Sequence, residues 1–136
     1  MIIYKNIEEI KKNFDICDSI ICGIRWDENM LDLLIVVDYF WSPTPYEKTY
    51  VIRLKDCFEA KFKMTEWMQK TPVNERQKLW WHWYTTLFMV LEKKETVEVR
   101  IFTDIEHILI EAKCEEIWIE DDEIIRNKNI EEKGSN

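Results

Sequence analysis

Polar and apolar residues alternate along most of this chain in short runs, separated by charged or proline-containing breaks. That period of two is expected of half-buried β-strands. The N-terminus departs from it. Asn6-Ile7-Glu8-Glu9 has the form of a capping box, with Asn6 as the cap and Glu9 placed to reach back. Ile7, Ile10 and Phe14 then share one face, which predicts a short helix over 6–13. Next, Ile16, Asp18, Ile20, Cys22, Ile24 and Trp26 form one alternating row. After Asp27-Glu28-Asn29, Leu31, Leu33, Ile35, Val37, Tyr39 and Trp41 form another. Together they predict a hairpin registered with Trp26 opposite Leu31, Arg25 opposite Asp32 and Ser19 opposite Asp38. In that register Asp18 is the one carboxylate on the apolar row.

Ser42-Pro43-Thr44-Pro45 ends the second strand. Tyr50, Ile52 and Leu54 begin another row, which continues as Phe58, Ala60, Phe62 and Met64 after a kink near Asp56-Cys57. The uncharged run Leu79–Leu91 fits two patterns. Trp80, Trp83, Tyr84, Leu87, Phe88 and Leu91 make a helical face, whereas the aromatic and β-branched content favours a strand. The short link Glu92-Lys93-Lys94-Glu95 into Val97, Val99 and Ile101 suits a hairpin, so strand is preferred. The last strands fall at 108–112 and 116–119, with a bend at Cys114-Glu115. These elements predict a mainly β fold, an antiparallel sandwich or strongly curled sheet of about seven strands with a short N-terminal helix. The alternative is an α+β fold with a second helix at about 72–91. Residues 1–136 make a single domain, with 121–136 as a frayed acidic tail.

Composition adds limits. At 46% hydrophobic, 136 residues suffice for a core without metal or disulfide. Cys17, Cys22, Cys57 and Cys114 form no metal-ligand spacing, and His82 and His107 are single, so no metal or cofactor is expected. The N-terminus lacks the apolar stretch of a signal peptide, and no run reaches the roughly 20 apolar residues of a membrane span. The expectation is a cytoplasmic protein with reduced thiols. With Gly23 and Gly134 as the only glycines, phosphate-cradling loops are not expected. A Cys–His pair has no local support. Asp18, with Asp38 or Asp56, is the best acid–base candidate, but a hydrogen bond from Tyr39 or a backbone amide is the plainer reading. The chain is therefore read as non-enzymatic.

Charge changes the picture more. The net charge is −8, and residues 104–132 hold 11 acids against three bases. Residues 1–103 hold 16 acids and 15 bases, so the field gathers at the C-terminal end. Such a surface repels nucleic acid and anionic lipid and attracts basic proteins. Glu115, Glu116, Glu120, Asp121, Asp122 and Glu123 centre it, with Trp118 among them. The run Trp80-Trp81-His82-Trp83-Tyr84 has two readings. Either both of its rows fill the core, or one is exposed and Trp81 and Trp83 serve as binding anchors beside Trp118.

Three stretches carry a resemblance: Asp18–Trp41 (DSIICGIRWDENMLDLLIVVDYFW), Tyr50–Met64 (YVIRLKDCFEAKFKM) and Glu106–Glu120 (EHILIEAKCEEIWIE). They resemble small bacterial β-sheet proteins of unknown function, some of them grouped with immunity proteins of polymorphic toxin systems. The resemblance lies in packing patterns and covers somewhat under half the chain, so it assigns no residue a role. It implies a small, non-enzymatic protein that blocks a toxin domain, often a cationic nuclease. The expected function is thus binding and neutralising a basic protein partner through the acidic C-terminal edge. The alternatives are a small-ligand binder or enzyme with an aromatic-lined pocket around Trp80–Tyr84, and a homodimer joined by a strand edge or the aromatic row.

Overall fold

The computed structural model describes residues 1–63, 70, 72–75, 84–103 and 107–121. In chain order the elements are β1 (Ile2–Tyr4), α1 (Ile7–Asn13), β2 (Ile20–Trp26), β3 (Leu33–Asp38), β4 (Thr49–Lys55), β5 (Glu59–Phe62), β6 (Phe88–Lys93), β7 (Val97–Phe102), β8 (Ile108–Cys114) and β9 (Glu116–Asp121). The nine strands form two antiparallel sheets, ordered β1-β9-β4-β3-β2 and β5-β8-β7-β6. The fold is mainly β, an antiparallel sandwich, with two strands more than expected. Of the ambiguous run, Phe88–Leu91 is strand and pairs with β7 as a hairpin. Residues 73–75 and 84 are helical, and 79–83 lie outside the described residues, as does the tail from 122 onward.

The helix forms where its cap predicts. The Asn6 side chain accepts from the Glu9 amide at 2.9 Å, and Ile10 and Phe14 are buried against the sheets. One contiguous core joins both sheets, with Ile35, Ile52 and Ile119 from the first and Val99, Ile101 and Ile110 from the second all fully buried.

A corner couples the sheets. β4 passes into β5, and β8 into β9, so two bent strands cross from one layer to the other side by side. Their pairing continues around the bend. The Glu115 amide donates to the Lys55 carbonyl at 2.9 Å, and the Phe58 amide to the Lys113 carbonyl at 3.1 Å. Lys55 pairs with Glu116 while Glu59 pairs with Lys113, so one strand carries an extra residue, a β-bulge. Asp56 supplies the turn in the left-handed region, at φ 49°. The loop between β2 and β3 braces it, since the Asp56 amide donates to Asp32 Oδ1 and the Cys57 amide to the Leu31 carbonyl.

That loop corrects the expected hairpin. Trp26 pairs with Leu33, two residues beyond the predicted Leu31, and a bulge between Ile21 and Gly23 resets the far end so that Ile20 faces Asp38. Asn29 is the cause: its side chain accepts from the amides of Leu31 and Asp32 and closes a longer turn, with Met30 left-handed at φ 61°. Leu33, Ile35 and Val37 are buried as the alternation predicts, but Leu31 and Trp41, the ends of that row, are exposed. Ile16 to Ser19 is also not strand. Thr86 ties it down as a turn, its hydroxyl donating to the Ile16 and Ser19 carbonyls and its own carbonyl accepting from the Asp18 amide. Asp18 therefore lies in an exposed turn at φ 64°, off any apolar row, and Tyr39 Oη accepts from the Asp15 amide instead. The basis for Asp18 as a buried acid–base group is gone.

Candidate functional site

The C-terminal edge is built on β9, which pairs with β4 along its length. Glu116, Trp118 and Glu120 project from the face opposite Ile117 and Ile119, beside Lys55, Arg53 and Val51. The pairing brings cations onto the acids. Arg53 Nε donates to Glu120 at 2.6 Å, and Arg53 Nη1 reaches Asp27 at 2.6 Å and Asp32 at 2.8 Å. Burial works against the Arg53 charge, but the Glu120, Asp27 and Asp32 carboxylates outweigh it and hold the guanidinium pKa above its ordinary value. Its bond to Arg53, the amide of Glu28 and the nearby cations hold the Asp27 carboxyl low. For Asp32, 3% exposed, burial opposes ionisation, but the Asp56 amide, Arg53 and Asn29 prevail and its carboxyl is also held low. Asp121 pairs with the N-terminal ammonium at 3.1 Å.

Trp118 is equally occupied. Its indole N–H donates to Glu116 at 3.0 Å, and the Lys55 and Lys5 ammonium groups stand 4.1 Å and 5.6 Å from its ring centroid. Of the predicted site residues, the structure thus brings Glu116, Trp118 and Glu120 together on one face and sets most of this edge against the chain's own cations. Glu115 and Glu116 are exposed and line a groove of about 550 Å³ with Lys5, Ile7, Lys93 and Val97. Trp81, Trp83, Asp122 and Glu123 lie outside the described residues.

A second aromatic surface lies at the loop between β3 and β4. Beyond Asp38 the Tyr39 amide still donates to the Lys48 carbonyl in register, but the Tyr39 carbonyl accepts from the Tyr46 amide, closing a loop around Pro43 and Pro45. Phe40 packs edge-on against Trp41 at 5.0 Å and lies tilted against Tyr46 at 5.7 Å. The polar tips are fixed: Trp41 Nε1 donates to the Cys17 carbonyl at 2.8 Å and Tyr46 Oη to the Asp18 carbonyl at 2.9 Å. The rings remain in solvent, Trp41 55% and Tyr46 41% exposed. Tyr46 has φ 65°, an unfavourable conformation for a bulky residue, which costs on the order of 1–3 kcal/mol and persists only where its surroundings enforce it. Asp15 and Asp18 flank Cys17 and are exposed. Burial, then the fields of Asp18 and Asp15, push the Cys17 thiol up. The sequence places a break at Ser42-Pro43-Thr44-Pro45, as found, but its alternation puts Trp41 in a core row and does not show the aromatic surface of this loop. The available signal was three aromatics gathered around a twice-interrupted proline break.

Burial pushes the Cys57 thiol up and the Cys114 thiol up to about 12, so neither is an activated nucleophile at neutral pH. Among the described residues no three His, Cys, Asp or Glu side chains are gathered to hold a metal ion, and no helix is long and apolar enough to cross a membrane.

No protein-family model matches the chain, and no curated protein does. Among solved structures, that of an uncharacterized protein from Neisseria gonorrhoeae is similar, with a TM-score of 0.51 and 13% identity over 76% of this chain and 90% of that chain. The likeness extends to the fold.

Proposed function

We propose that this chain is a non-catalytic protein-binding protein that engages and neutralises a basic partner, in the manner of an immunity protein. One observation carries the reading: Trp41 and Tyr46 are exposed, yet locked by their polar tips to the 17–18 turn. Trp and Tyr dominate interface hot spots, and rings already fixed in place lose little entropy on binding. The net charge of −8 supports a basic partner, and Asp15 and Asp18 put part of it beside the rings. The aromatic loop is the contact surface in this reading, and Glu115 and Glu116 steer from a distance.

The test is affinity capture from the native cell with the full chain and with the Trp41→Ala variant, at about 0.05 M and about 0.5 M salt. The reading predicts a basic protein that is retained at low salt by the parent, and that is lost both from the variant and at high salt. Absence of any protein partner, or capture indifferent to both changes, contradicts it.

A further inference from the structure

The structure carries its own example of an indole receiving cations. At Trp118 the indole N–H is held by Glu116, and Lys55 and Lys5 lie over the ring. Among the described residues Trp41 is a second tethered indole, and no cation is found over its ring. Trp41 has its N–H held by the Cys17 carbonyl, its face in solvent, and exposed carboxylates at Asp15 and Asp18 on either side of that anchor. The cations found over aromatic rings among the described residues are both on Trp118. Tyr46 is tied to the carbonyl of Asp18, and Phe40 packs edge-on behind Trp41, so the surface is rigid before any partner arrives.

We infer that the 40–46 loop and the 15–18 turn form a receptor for an arginine side chain on the surface of the partner protein, with the guanidinium on the Trp41 and Tyr46 rings and its N–H groups toward Asp15 and Asp18. This rests on the protein-binding reading and assigns the chemistry of its contact. Charge complementarity selects a cation. Arginine is preferred to lysine because its planar group stacks on a ring while its edge donates to carboxylates, and because it is more weakly hydrated than an ammonium.

The test uses the full ¹⁵N-labelled chain, titrated with capped tetra-arginine, tetra-lysine and tetra-glutamate peptides and followed by NMR. The Trp41 indole N–H and the backbone amides of Asp18 and Tyr46 are expected to shift saturably with the arginine peptide. The lysine peptide is expected to bind roughly tenfold more weakly and the glutamate peptide not to shift them. Trp41→Ala is expected to weaken the arginine peptide roughly tenfold. The Asp15→Asn/Asp18→Asn double variant retains acceptor oxygens and the main-chain anchors, so it keeps the test open if the tryptophan variant fails to fold; the same loss is expected of it. Shifts absent from these residues, spread without saturation, equal for lysine, or unchanged in the double variant overturn the assignment. A captured basic protein that binds the double variant as tightly as the parent leaves the protein-binding reading standing and removes this one. Failure to capture any protein, with the peptide still saturating Trp41, does the reverse.

Discussion

Trp118 and Trp41 are both tethered through their indole N–H, and they meet opposite surroundings. Trp118 sits in the most acidic part of the sequence, yet its neighbours in space are Lys55, Lys5 and, directly opposite on β4, Arg53. Trp41 sits in a stretch of unremarkable composition; its indole N–H meets the Cys17 carbonyl, its ring meets Phe40, and its anchor lies between the exposed Asp15 and Asp18 in the chain. The difference teaches that acidity along a chain and acidity on a surface are separate quantities. Antiparallel pairing lays β9 against β4, whose Arg53 and Lys55 share the face of Glu116 and Glu120, so the pairing sets Arg53 in an ion pair with Glu120 and Lys55 beside Glu116. Among the described residues no strand is paired beside the 40–48 loop to do the same.

The largest break in that comparison comes from removing the cation that quiets the C-terminal face. Arg53→Met leaves Asp32 buried without its partner and unfastens the loop that braces the corner; the expected loss is about 3–5 kcal/mol of unfolding free energy by urea titration. Acid reaches the same group by another route. Asp27 and Asp32 ionise below their ordinary value of 3.8 in the folded state, so the stability they contribute is complete above that value and is lost as pH falls through the lower folded values. Thermal unfolding scanned downward from pH 5 is expected to show this decline in the parent and a flatter one in Arg53→Met.

Salt sharpens the contrast from the other side. The association rate with a captured basic partner is expected to fall by about tenfold between about 0.05 M and about 0.5 M salt, and the Asp15→Asn/Asp18→Asn variant to show a shallower dependence. The smallest effect belongs to the occupied indole. Lys55→Gln removes one cation from Trp118 and is expected to cost about 0.5–1 kcal/mol of stability, with no change in partner affinity.

The sequence was most informative where the signal is local. Asn6 capping α1, the kink at Asp56-Cys57, the bend at Cys114-Glu115 and the buried rows of β3, β4 and β7 all follow from period and turn chemistry a few residues long. It was less informative where a single side chain resets geometry, as Asn29 does in lengthening the hairpin turn and shifting its register by two. The three-residue β1 is legible only through its partner β9. The candidate site was harder still. Alternation carried Trp41 into the core row because nothing local shows that the Tyr39 carbonyl takes the Tyr46 amide. The neutralisation of Glu120 depends on Arg53, 67 positions away, which only the strand pairing reveals.

The proposed contact is the exposed aromatic loop and not the C-terminal edge, where Arg53, Lys55 and Lys5 already meet Glu120 and Trp118. Equilibrium affinity of the captured partner for Trp41→Ala and for Glu115→Gln/Glu116→Gln, measured side by side, tests it most directly. The account predicts a loss of about 2 kcal/mol, roughly thirtyfold, for the tryptophan variant and a change within about 0.5 kcal/mol for the glutamine pair. A tryptophan variant that binds like the parent, with the glutamine pair severely weakened, would contradict it.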